Sequence, residues 1–194
     1  MRFKDFLKES TSELSDAQVN WILVHTNYSY MQTPEKVREL MWMDNGRIQF
    51  KLNALSIAGF NQDKQPLPKD IRFGECQFFR LRDSKISNFD ILPNSIQKLS
   101  FELTVDGPKS FKGIEKVLDK CQQIGITDRF INGFSYLLSV KGLTNVYIED
   151  LMDGNKRLEI LDLLKIISKH LGKGGNAVFD FQEELMDAGL EKYL

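Results

Sequence analysis

The chain has 194 residues, 42% of them hydrophobic, with 26 Lys and Arg against 27 Asp and Glu and two cysteines. That length suits one well-buried core and is short for two ordinary domains, and the charge balance removes the electrostatic case for non-specific binding to nucleic acid or to an anionic membrane surface. Cys76 and Cys121 match no zinc or redox spacing, and no apolar run is long enough for a membrane span or a secretory signal, so a cytosolic soluble chain with reduced, buried thiols and no metal or cofactor is expected.

In chain order, Phe3, Phe6 and Leu7 share one face of a short helix, with Lys4, Asp5, Lys8 and Glu9 elsewhere on the wheel. Ser10-Thr11-Ser12 follows as a joint. Read from the residues alone, this is an N-terminal helix docked on the domain. Residues 1–9 also resemble the capsid-targeting peptides of internal head proteins in T-even-type bacteriophages. Those peptides carry this aromatic and aliphatic spacing and are cut by a prohead protease after a Glu two positions beyond an aliphatic residue. Leu7-Lys8-Glu9 fits that pattern. The resemblance implies a phage protein that meets the phage scaffold or prohead protease through residues 1–9, is trimmed after Glu9, lies in the virion interior, and reaches the host cytoplasm with the genome. Without packaging, the host cytoplasm alone is its place.

Residues 10–194 are expected to form a single domain: a helical head over 10–45, a repeat-like β region over 46–150 and a helical cap over 151–194. In the head, Ser15-Asp16-Ala17-Gln18 has capping-box spacing, and Val19, Ile22 and Leu23 share the face that follows, predicting a helix from Ser15 to about Asn27 with Trp21 packed. Thr33-Pro34-Glu35 opens a second helix carrying Val37, Leu40 and Met41, and Asp44-Asn45-Gly46 ends the head with a turn.

Beyond Gly46 the period becomes two: Ile48, Phe50 and Leu52 alternate, as do Leu99, Phe101, Leu103 and Val105. Leu67-Pro68-Lys69-Asp70-Ile71 is echoed by Leu92-Pro93-Asn94-Ser95-Ile96, and Ser110-Phe111-Lys112-Gly113-Ile114 by Ser139-Val140-Lys141-Gly142-Leu143. Such echoes predict an internal repeat. Phe79-Arg80-Leu81-Arg82-Asp83-Ser84-Lys85-Ile86 resembles the strand-and-turn core of a leucine-rich repeat, and Leu99-Ser100-Phe101 and Val146-Tyr147-Ile148 resemble further strands of that kind. The expected fold is therefore α/β, a short irregular leucine-rich-repeat-like solenoid sheet, with an ordinary α+β sheet as the alternative. Leu158, Leu161, Leu164, Ile167 and Leu171 predict a helix with that stripe inward. A last helix is predicted with Phe181, Leu185 and Met186 inward and Gln182, Glu183 and Glu184 outward. Residues 181–193 resemble the C-termini of leucine-rich-like tailed-phage proteins, which implies a terminal cap.

Chemistry is sparse. His25 and His170 fall on helices away from any nucleophile motif and read as surface or helix-end residues, and Lys173-Gly174-Gly175 lacks the spacing of a phosphate-binding loop. The enzymatic alternative is a Mg²⁺-dependent nuclease using Asp70, Asp83 and Lys85, since such enzymes hold the metal between two carboxylates beside a lysine. The repeat accounts for the same residues as turn and surface positions. In the repeat register Arg80, Arg82, Ser100, Glu102, Tyr147 and Glu149 leave the sheet on its solvent side, a binding face of mixed charge with an aromatic. The expectation is a non-enzymatic protein that binds a host protein such as a nuclease or defence factor, inhibiting host defence.

Overall fold

The structure is a computed structural model that describes residues 11–26, 28–61, 64, 70–86, 89, 91–93, 95–102, 110–127, 133–149, 155–173 and 177–194. The tag-like segment, with Leu7 and Glu9, lies outside the described residues, as do Leu103 and Val105.

Ser15 starts helix α1, Asp16–His25, by accepting from the Gln18 N–H while the Gln18 side chain accepts from the Ser15 N–H. This reciprocal cap satisfies two otherwise orphaned donors. Val19 and Ile22 turn inward, and Trp21 packs edge-on to Phe60 with ring centroids 5.4 Å apart. Thr33 caps α2, Pro34–Leu40, where proline fills the first turn.

The head is less helical than its sequence implied. The chain leaves α2 at Leu40, and Met41–Asp44 forms strand β2, paired antiparallel with β3, Arg47–Phe50, and on its other side with β1, Thr11–Ser12. Asn45 and Gly46 both have positive φ, 50° and 71°. That is the backbone of a two-residue hairpin turn, so Asn-Gly marks the centre of a hairpin here and not the end of a helix.

Five parallel strands follow: β4 Ala54–Ala58, β5 Phe78–Arg82, β6 Lys98–Glu102, β7 Gln123–Ile126 and β8 Asn145–Ile148, adjacent in chain order. Ala54, Phe78, Lys98, Gln123 and Asn145 share one register position across them. From turn to turn the link is the same: the carbonyl just before a strand accepts two consecutive N–H groups of the next turn. Asn53 accepts from Gln77 and Phe78, Gln77 from Gln97 and Lys98, Gln97 from Gln122 and Gln123, and Gln122 from Thr144 and Asn145. The fold is α/β, with a parallel sheet arranged as a β-solenoid and a few helices.

Parity decides what each strand buries. Leu55, Ile57, Phe79, Leu81, Leu99, Phe101, Ile124, Ile126 and Val146 point into one continuous hydrophobic cluster that also takes in the head and the cap. Just before β5 and β7, Cys76 and Cys121 occupy matching buried positions as free thiols, each directed at a carbonyl of the preceding turn and one two residues ahead. Burial pushes the Cys76 thiol up to about 12 and the Cys121 thiol to about 11, so both stay protonated and unreactive.

The sequence echoes Ser110–Ile114 and Ser139–Leu143 share a local turn, Ile114 and Leu143 donating to the Phe111 and Val140 carbonyls, but stand at different places relative to the strands. Gly113 opens a short 3₁₀ turn, Ile114–Lys116, well before β7, whereas Gly142 lies in the turn immediately before β8. Ile96 matches Cys76 in position before its strand, while Ile71 lies before an added stretch in which Phe73 pairs with Ile48. That stretch joins the head hairpin to the solenoid: Ile48 donates to the Arg72 carbonyl at 2.7 Å and accepts from Gly74 at 2.8 Å.

The cap comprises α3, Asn155–His170, and α4, Ala177–Asp187. Its buried face is rotated from the predicted stripe. Ile160, Leu163, Ile166 and Ile167 are buried, Leu161, Leu164 and Leu171 are half-buried, and Leu158 is 64% exposed. Apolar residues occupy more of this helix than one stripe, and its packing against α4 and β8 selects the face around Leu163. On α4, Phe181 and Leu185 are buried as expected but Met186 is exposed. Both histidines close their helices, as expected, but neither lies at the surface: His25 packs between Trp21 and Phe60, and His170 packs on Phe181 with its Nε2 2.9 Å from Glu184.

Candidate binding face on the parallel sheet

The residues alternating with the buried ones form the outward face of the sheet. One row across it reads Ser56, Arg80, Ser100, Gly125 and Tyr147, and Arg82 lies level with Ala58 and Glu102. Glu149 follows β8 directly. All six residues singled out in the sequence therefore lie on one face, as their parity required.

They do not form a uniform surface. Ser100 points outward yet is only 4% exposed, because neighbouring side chains close over it. A Glu149 carboxylate oxygen accepts from the Ser100 hydroxyl at 2.6 Å and from the Tyr147 hydroxyl at 2.7 Å. To reach Ser100 from the end of β8, this side chain crosses β7 over Gly125. A Cβ at Gly125 would lie 2.5 Å from the Glu149 carboxylate and 2.7 Å from its Cγ. Glycine is thus the residue that opens the path. Burial first, then the bond to Glu149, holds the Tyr147 hydroxyl above its ordinary pKa.

Toward β4 the face is different in character. Arg80 pairs with Glu102 at 2.7 Å, while Arg82 is exposed with no ion pair among the described residues. The Lys98 ammonium lies 4.9 Å over the Tyr147 ring. A groove of about 330 Å³ runs over β4, β5 and β6, lined by Tyr28, Phe78, Arg80, Arg82 and Lys98 among others. Tyr28 is fixed at its rim by donating to the Ala54 carbonyl at 2.9 Å, and its ring contacts that of Tyr30 at 5.1 Å. Burial, then Tyr30, pushes the Tyr28 hydroxyl up to about 12. Phe78 is 46% exposed and Tyr30 48%. Sequence reasoning missed these aromatics and Lys98. Phe78 was legible, since it precedes Phe79 with outward parity, but Tyr28 and Tyr30 reach the face only through the fold of the head.

Of the nuclease candidates, Asp83 and Lys85 flank Ser84 in the turn after β5, and Asp70 lies on the stretch beside α1. Asp83 is exposed in a turn at φ 46°, its N–H donating to the Glu102 carbonyl, while Asp70 is exposed beside α1, its carbonyl accepting from Gln18. Lys85 bridges Asn61 and is half-buried. Between them Ser84 is buried, accepting from the Phe60 N–H at 3.3 Å and donating to the Arg82 carbonyl at 2.9 Å. Among the described residues no group of three or more His, Cys, Asp and Glu is placed to hold a metal ion, and no helix is long and apolar enough to cross a membrane. No family model, curated protein or solved structure matches the chain.

Proposed function

We propose that the chain is a non-enzymatic phage protein that binds a host protein, such as a nuclease or defence factor, through the outward face of its parallel sheet. One observation carries the reading: Arg80, Arg82, Glu102, Tyr147 and Glu149 gather on a single face with exposed Phe78, and Tyr28 lines the groove beside them. Exposed aromatic and arginine side chains on a rigid sheet are the groups from which protein interfaces draw most of their energy. The same proposal takes the solenoid as leucine-rich-repeat-like. Its strands recur at roughly 20 to 25 residues, within the range of such repeats, and Ser84 ties the turn after β5 as their turn residue does. The phage source, packaging in the head and trimming after Glu9 rest on the resemblance of residues 1–9.

Two measurements test the proposal. Affinity capture from host lysate should recover a partner with the wild-type chain and with Phe179→Ser on α4, and lose it with Arg82→Ala. Capture that ignores Arg82, with the fold intact, overturns the binding face. Mass spectrometry of purified virions should find a chain beginning at Ser10. Intact Met1 in mature particles, or absence from them, overturns packaging and leaves a protein confined to the host cytoplasm.

A further inference from the structure

We infer that the groove over β4, β5 and β6 receives an extended acidic segment of a protein partner, its carboxylates meeting Arg82 and Lys98 and its apolar side chains lying on Phe78 and the Tyr28–Tyr30 pair. The inference rests on the binding reading above and assigns the chemistry of the partner.

Charge carries the first part of the argument. Among the described residues every charged side chain lining the groove is a cation: Arg80, Arg82 and Lys98. The carboxylates of the same face are already engaged, Glu102 with Arg80 and Glu149 with Ser100 and Tyr147 across Gly125. Arg82, exposed and without an ion pair among the described residues, and Lys98, held over a ring, are left to face an incoming anion. A guanidinium on a β-strand offers a planar fork that a carboxylate can meet with two parallel hydrogen bonds.

The aromatics carry the second part. Phe78 stands 46% exposed between the β4 edge and Lys98, with Tyr28 lining the same groove and Tyr30 packed against the Tyr28 ring. An anion alone makes no use of these rings; a peptide carrying acidic and apolar residues along the same side of its strand uses both, because residues i, i+2 and i+4 of an extended chain face one way, as Phe78, Arg80 and Arg82 do on β5. Single-stranded nucleic acid also combines anions with rings, but its backbone would run on across the face into Glu102 and Glu149. Those carboxylates repel a continuous polyanion more than a short acidic segment that ends over the groove.

The test uses the full chain and fluorescence anisotropy with three labelled probes: a short peptide repeating Glu-Ser-Leu-Ser, which presents glutamate and leucine on one side of an extended chain, its counterpart repeating Lys-Ser-Leu-Ser, and oligothymidylate. Saturable binding of the acidic peptide alone is expected, weakening as salt is raised. Arg82→Glu should weaken it by about tenfold or more, since it replaces an attraction by a repulsion. Phe78→Ser should weaken it several-fold with a smaller change in salt dependence, and Phe179→Ser should leave it unchanged. Circular dichroism confirms that each variant is folded. No binding of the acidic peptide, equal binding of the basic one, tighter binding of oligothymidylate, or indifference to Arg82→Glu overturns the inference. If the peptide fails while lysate capture still depends on Arg82, only the acidic chemistry falls. If capture is indifferent as well, the binding face falls with it.

Discussion

The two halves of the outward face are built from the same alternation and do opposite things. From β6 to β8, Glu149 lies across Gly125 and joins Ser100 to Tyr147, so the polar groups there satisfy one another. From β4 to β6, Phe78 and Arg82 stand exposed over a groove, with the other cations partly engaged by Glu102 and Tyr147. Solvent-side parity therefore does not make a residue available for binding. What matters is whether its neighbours have already used its hydrogen-bonding capacity. The closed half holds the sheet together, and the open half is left to meet a partner.

The sharpest break in this comparison lies beneath it. Leu81 is fully buried between Arg80 and Arg82. Leu81→Ala should cost about 2–5 kcal/mol through the cavity it leaves, seen as a lower midpoint in urea unfolding followed by circular dichroism. A harmless Leu81→Ala would mean a strand shifted by one residue, with every outward position reassigned.

Glu149→Ala comes next. It strips two hydrogen bonds from a half-buried carboxylate and leaves the covered Ser100 hydroxyl to find other partners, a loss of about 1–2 kcal/mol in the same assay. Gly125→Ala should cost no more than that, by displacing Glu149 from its path. The double variant separates the causes: if glycine matters only as the crossing point, Gly125→Ala in the Glu149→Ala background should cost far less than it does alone. Full additivity would show that the two positions act independently.

Comparable in size, but seen only in alkali, is an effect at the rim of the open half. Tyr28 titrates near 12 in the folded chain against an ordinary value near 10, so the unfolded chain releases this proton first. Its contribution is intact below about pH 10 and is lost as pH rises toward about 12. Stability measured across that window should fall less steeply in Tyr28→Phe. Smallest of all is Arg82→Ala, which should move the melting temperature by no more than a few degrees, because an exposed side chain with no ion pair among the described residues contributes tenths of a kcal/mol. An early-melting Arg82→Ala would place this residue in the closed, structural part of the face.

Local signals in the sequence suffice where one element decides the outcome. The Ser15 capping box, Pro34 at its helix start, and the parity of Phe79, Leu81, Leu99 and Phe101 depend on residues within a few positions, and the structure has each of them in place. Strands β4 and β7 were overlooked for contrasting reasons. Ala54-Leu55-Ser56-Ile57-Ala58 alternates plainly, but small residues fill its outward positions. Gln123-Ile124-Gly125-Ile126 has at its centre a glycine, which ordinarily weakens a strand. That glycine matters only once Glu149 arrives from β8, and such a crossing leaves no periodic trace. The rotated face of α3 and the exposed Met186 have a similar origin, because a helix with apolar residues over much of its surface is oriented by its neighbours.

The row of carbonyls at Asn53, Gln77, Gln97 and Gln122, each holding two amides of the next turn, has a mechanical meaning. Pulled along the solenoid axis, these links bear load in series, so the force reaching one is the force reaching all, and rupture begins at the weakest turn. Pulled along the strands, the ladder hydrogen bonds share the load in parallel and resist together. The chain should accordingly be compliant in one direction and stiff in the other, with its outward face holding its shape when a partner draws along the strands and yielding turn by turn when the draw is across them.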